Sequence, residues 1–223
     1  MSSEPLNETR NADRPRSHTG VSGAEEQIFT ATERLLADVP LHDLSVAQIL
    51  REAGVSRATF YFYFSSKFAV VTGLLARVMD EIYETVQPFV ARRGDREEAL
   101  RESLEAATNV WRSHRLVLRA AHEHWHAVPE LRSLWLEVFA GFTTVLSEQL
   151  ERERGAGLLV ATSPTRTIAA LLLWATEGCL YVSGLGADSD LPEESNMVNP
   201  LVSLWLGTLY GRAPARRGEV HAR

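Results

Sequence analysis

Lysine is all but missing from this chain of 223 residues: Lys67 is the only one, and every other side-chain cation at neutral pH is arginine. The bias is that of a GC-rich genome and carries no function. Cysteine is as scarce. The single Cys179 excludes an internal disulfide, and a lone cysteine in an apolar helix reads as a small buried side chain. Positive charge is short overall: the net charge is −6, so the chain does not hold nucleic acid by global attraction, and any phosphate contact must come from a few placed cations. Long hydrophobic runs are lacking too. The nearest to the roughly 18 to 20 uncharged residues of a membrane span is Ile168 to Trp174. The N-terminus has no signal-peptide core, so the expectation is a cytoplasmic chain with no membrane partner. There is no phosphate-cradling glycine loop, no GxSxG elbow and no cysteine–histidine spacing of a catalytic pair, so neither an enzyme nor a cofactor is expected. No stretch alternates as a strand, which leaves an all-α chain.

What the chain does have, with 45% hydrophobic residues, is enough apolar material for one large or two small domains, and it is arranged at helical spacing. Ser45-Val-Ala-Gln48 reads as a capping box ahead of Ile49, Leu50 and Ala53. Gly54 supplies a left-handed turn, and Ser56 is an N-cap that starts a second short helix at Arg57. Helix, glycine turn and helix make a helix-turn-helix, whose second helix offers its first residues to the major groove. From Asp43 to Lys67 there are three bases, Arg51, Arg57 and Lys67, against two acids, so the signal is positional and not compositional. Arg57 is placed to donate twice to guanine, and Ala58 or the Thr59 methyl to touch a thymine methyl. Ser45 caps a helix whose amino end can face a phosphate. Phe60 and Phe64 read as core, with Phe62 open between core and surface.

The stretch GVSRATFYFYFSSK, Gly54 to Lys67, resembles the signature of the TetR family of transcriptional repressors, and the resemblance runs from about Ser22 to Leu75. Ser65 stands where the family usually has proline and Phe68 where it has an acid. Within the family, FYFYF and the ending LWLGTLYG are similar to a mycobacterial member. The resemblance implies that Ser45, Ser56, Arg57, Ala58, Thr59, Tyr61, Tyr63 and Lys67 meet a palindromic double-stranded operator, with Tyr61, Tyr63 and Lys67 on phosphate. It also implies a homodimer through helices 8 and 9 and an effector cavity among helices 4 to 8.

About nine helices are expected. A disordered arm (1–21), in which Arg10, Arg14 and Arg16 either touch DNA or are merely solvated, precedes a DNA-binding domain (22–66) whose first helix opens on a Ser22–Glu25 capping box. A ligand-binding and dimerisation domain (67–211) follows, then a disordered basic tail (212–223). In the second domain, helix 4 runs from about Ser66 to near Pro88 as a lever, helix 5 is capped by Asp95, helix 6 spans about Arg115 to Ala127, and helix 7 runs from Pro129 to about Arg154. Ser163-Pro164 caps helix 8, which reaches about Leu185. Helix 9 starts at Asn199-Pro200 or, kinked, near Pro192. All five tryptophans fall in this domain. Leu100, Leu104, Ala107, Trp111, Trp135, Phe139, Phe142, Trp174, Tyr181 and Trp205 are the candidate wall of a pocket for a hydrophobic small molecule. Thr176 and Glu177 are its candidate polar anchors, Glu177 alternatively pairing at a dimer surface. An enzyme or small-molecule carrier using the same cavity is the alternative reading. His122 to His126 spells HExxH, the pattern in which two histidines one turn apart hold zinc. No third ligand is evident, so these histidines are expected to be solvated or satisfied.

Overall fold

Nine α-helices and one 3-10 turn carry the computed structural model, which describes residues 23–91 and 95–211, for 85–91 in backbone path alone. α1 (Gly23–Leu35), α2 (Val46–Ala53) and α3 (Arg57–Tyr63) pack with the first turns of α4 (Lys67–Ala91) around Ile28, Ile49, Phe60 and Val70, each with essentially no exposed surface. α5 (Arg96–Ser113), α6 (Arg115–His124), α7 (Pro129–Gly155), α8 (Thr165–Leu185), the turn Glu194–Asn196 and α9 (Val198–Tyr210) form the larger bundle against the rest of α4. The arm, the Ser22 cap and the basic tail lie outside the described residues.

Local chemistry sets the helix-turn-helix. Ser45 Oγ accepts from the Gln48 amide at 3.3 Å while the Ser45 amide donates to Gln48 Oε1 at 2.9 Å, which starts α2 with two amides satisfied. Gly54, at φ 66°, stops it in the left-handed region. Two residues on, Ser56 Oγ accepts from the Thr59 amide at 3.0 Å and opens α3. Where α4 crosses α1 the approach is close: a Cβ on Gly73 would lie 2.9 Å from Cζ of Phe29, whose ring meets Phe64 edge-on and lies under Arg77.

Four helix limits differ from the sequence reading. α4 does not stop near Pro88 but runs to Ala91. α6 ends at His124, short of Ala127, because the chain turns to place Pro129 at the start of α7. At α8 the cap position is Pro164, in an extended backbone, with no side-chain cap; Ser163 instead gives its carbonyl to Arg154 Nη2 at 2.5 Å. α9 starts at Val198, so Pro200 sits inside its first turn where no amide partner is needed. α8 is also long and apolar enough to cross a membrane by length and composition, a property missed by counting only its uncharged run. Its residues Ile168, Ala169, Leu172 and Leu180 are buried within the bundle.

Candidate DNA-reading helix and effector cavity

α3 turns Phe60 inward and presents Arg57, Ala58, Tyr61 and Phe62 outward, as its 3.6-residue period requires. The Arg57 guanidinium lies 5.4 Å from the centre of the Tyr61 ring, which steadies a long side chain over the helix face. Thr59 is half-buried, its hydroxyl 2.8 Å from Ser56 Oγ. Phe62, left open by the sequence, is 81% exposed, too bare an aromatic to be core. Tyr63 packs edge-on against it at 4.9 Å.

Lys67 turns back onto the backbone of the reader. Its Nζ donates to the carbonyls of His42 at 2.8 Å and Leu44 at 2.7 Å, tying the turn before α2 to the start of α4. Two of its three protons are thereby committed to backbone. Partial burial holds its pKa below the ordinary lysine value, with Asp43 opposing the shift.

In the bundle, an apolar cavity of about 130 Å³ is walled by α4, α5, α7, α8 and α9. Leu100, Leu104, Ala107, Trp111, Trp135, Phe139, Phe142, Thr176, Glu177 and Trp205 line it, together with Met79, Ile82, Ser103, Val145, Leu146, Leu173 and Leu180. Trp174 and Tyr181 do not. On α8 the cavity face is Leu173, Thr176, Glu177 and Leu180, and each of those two aromatics sits one residue further round the helix. Trp174 stacks on the outside of Phe139 at 3.9 Å. Tyr181 stacks on His122 at 3.6 Å, and burial, then the Glu123 carboxylate, push its phenol pKa up.

The polar wall is narrower than the sequence implied. The Thr176 hydroxyl donates to Leu172 O at 2.8 Å and accepts from Trp205 Nε1 at 3.0 Å. Glu177 is 8% exposed and stands 2.6 Å from His122 Nδ1 of its own chain, so it faces inward rather than a dimer surface. His126 lies beyond the end of α6 and gives its carbonyl to Arg132. His124 turns to Ala120 O at 2.8 Å and meets His42 and Phe68 at ring distances of 6.3 and 6.1 Å.

A helix-turn-helix reader joined through one continuous helix to an apolar cavity defines a DNA-binding transcriptional regulator. Residues 28–73 match the family described as bacterial regulatory proteins, tetR family, and residues 100–211 match the C-terminal domain of transcriptional regulator EthR. The HTH-type transcriptional regulator EthR of Mycobacterium tuberculosis is 32% identical over 189 residues, 84% of this chain and 87% of that one. The EthR of Mycolicibacterium smegmatis is 27% identical over 85% of this chain and 88% of its own length. In fold, the transcriptional regulator FadR from Bacillus subtilis, solved in complex with stearoyl-CoA, superposes with a TM-score of 0.69 at 17% identity, covering 83% of this chain and 99% of that one. The chain belongs to the TetR family of bacterial regulatory proteins, with an EthR-type C-terminal domain.

Proposed function

We propose that the protein is a cytoplasmic repressor, released from a palindromic operator when a mostly hydrophobic, elongated small molecule fills its cavity. The observation that carries this reading is the reach of α4. Its first residue, Lys67, fixes the turn before α2, and Met79 and Ile82 stand in the cavity wall roughly 18 to 22 Å along the same helix. α6 supports a second route: His122 touches Glu177 of the cavity wall, and His124, half a turn away, touches His42 and Phe68 beside the reader. A ligand that prefers one setting of these helices over the other shifts the distance between paired readers. A typical coupling of about 1–3 kcal/mol weakens operator affinity roughly 5- to 150-fold.

On the DNA side, Arg57 is the base reader and Ala58 and Thr59 its neighbours, while Ser45, Ser56, Tyr61 and Tyr63 position the backbone. Lys67 acts by shaping the reader more than by touching phosphate. Arg57→Ala is expected to cost about 1–3 kcal/mol at the specific site and to relax sequence preference. Titration of a randomised operator set checks this, and an unchanged preference would refute the assignment. One reader contacts too few base pairs alone, so two are needed, about 34 Å or a multiple of it apart. The second chain pairs on α8 and α9, where Leu171 (66%), Leu204 (42%) and Leu185 (37%) stand exposed. Sedimentation at micromolar concentration should give a dimer, and a stable monomer would sink the pairing. Operator release measured beside calorimetric binding of lipophilic ligands tests the whole reading; ligands that bind and leave operator affinity unchanged would favour a carrier instead.

A further inference from the structure

The outward face of α3 is two rows of side chains of opposite character. Residues four apart on a helix lie nearly one above the other. Arg57 and Tyr61 make the first row, the guanidinium 5.4 Å from the ring centre. Ala58 and Phe62 make the second, which carries no hydrogen-bonding side chain. At 81% exposure Phe62 is the barest large apolar side chain among the described residues, and Tyr63 meets its ring edge-on at 4.9 Å and 85°. A lone exposed apolar residue is ordinary on a protein surface. What sets this one apart is its place beside the base reader. Arg57 makes no ion pair or hydrogen bond among the described residues, so the face offers free positive charge next to bare apolar surface.

A phenyl ring neither donates nor accepts. It gains nothing from a phosphate, and over the polar edge of guanine, adenine or cytosine it would strip water without replacing it. The apolar group that the major groove presents is the C5-methyl of thymine. Resting on the DNA-reading proposal above, we infer that Phe62 is a second specificity-determining residue, whose ring packs on a thymine methyl in the half-site where Arg57 reads guanine.

Repeated selection from a randomised duplex library with the full-length protein gives a working site. Each thymine of that site is then replaced in turn by deoxyuridine, which removes the methyl and keeps the base pair. One position per half-site should lose about fourfold in affinity, and substitution in both half-sites about fifteenfold, the value of one buried methyl each. In Phe62→Ala the same replacements should change affinity by less than about twofold, because the contact is already gone. Selection with that variant should yield sites that keep the guanine preference and lose the thymine. Its melting should match that of the unaltered protein, since the side chain is exposed. An undiminished deoxyuridine penalty in Phe62→Ala would assign the methyl contact to Ala58 or Thr59 and overturn the inference. A site indifferent to every deoxyuridine replacement would overturn it as well. Selection of the same site at equal affinity by Phe62→Ala would do so too, leaving the ring for a protein partner. Failure of the unaltered protein to enrich any sequence would remove the DNA-reading proposal itself, and the inference with it.

Discussion

Replacing Glu153 with alanine is expected to lower stability by about 3 kcal/mol, the cost of leaving buried partners of a carboxylate unmatched. Glu153 is 5% exposed near the end of α7. Tyr210 at the end of α9 donates its hydroxyl to Oε2 at 2.6 Å, while Gln149 Nε2 donates to Oε1 at 3.0 Å and Arg96, on the first turn of α5, stands 3.3 Å from the same oxygen. One side chain thus ties three helices of the effector domain. Arg96 is about half exposed and its share is screened by water, so most of the effect lies in the tyrosine and glutamine. Urea unfolding checks the magnitude, and a midpoint like that of the unaltered protein would show the hub to be idle. A pH signature accompanies it. Burial first, then the bond to Glu153, raise the Tyr210 phenol pKa far above its ordinary value near 10. A raised folded-state pKa contributes stability that is complete below the unfolded value and is lost as pH climbs past it. Stability should therefore fall above about pH 10, and Tyr210→Phe should flatten that decline.

Lys67→Ala should abolish tight binding to every DNA sequence and also destabilise the helix-turn-helix by about 2–3 kcal/mol. The two bonds to His42 O and Leu44 O are charge-assisted, worth about 1.5–3 kcal/mol each when protected, and partial exposure brings the pair toward the lower end. A lysine that only touched phosphate would behave otherwise: its loss would flatten the salt dependence of binding by about one unit and leave thermal unfolding unchanged. Paired measurements of melting and of the salt slope separate these cases. Unchanged melting with a flattened slope would return Lys67 to the phosphate role.

Lys67 also shows where sequence reading runs out. Its partners are carbonyls 25 and 23 residues upstream, and no local pattern announces a bond to backbone. The turn it serves was fully legible, because Ser45, Gln48, Gly54 and Ser56 act on neighbours within four residues. In the cavity the same division holds. α5 is strongly amphipathic, and the spacing Leu100, Leu104, Ala107, Trp111 marks its inward face. Ser103 lies on that stripe and could have been found as the polar interruption of an apolar row. α8 is apolar nearly all round, so periodicity does not say which of its aromatics turn inward, and Trp174 and Tyr181 were assigned to the pocket by residue type alone. The HExxH spelling presumes an unbroken helix, whereas α6 ends at His124.

The placement of aromatic side chains splits the molecule optically. Trp111, Trp125, Trp135, Trp174 and Trp205 all lie beyond α4, and Trp174 stacks on Phe139 at 3.9 Å with Trp125 at 6.1 Å, close enough for their emission to report local packing. Residues 23–66 hold no tryptophan, and their tyrosines are Tyr61 and Tyr63. Fluorescence excited at the red edge is therefore a signal from the effector domain alone, dark to any opening of the reader. A melt followed by that emission and by helical circular dichroism should give two curves, and the gap between them measures how independently the reader comes apart.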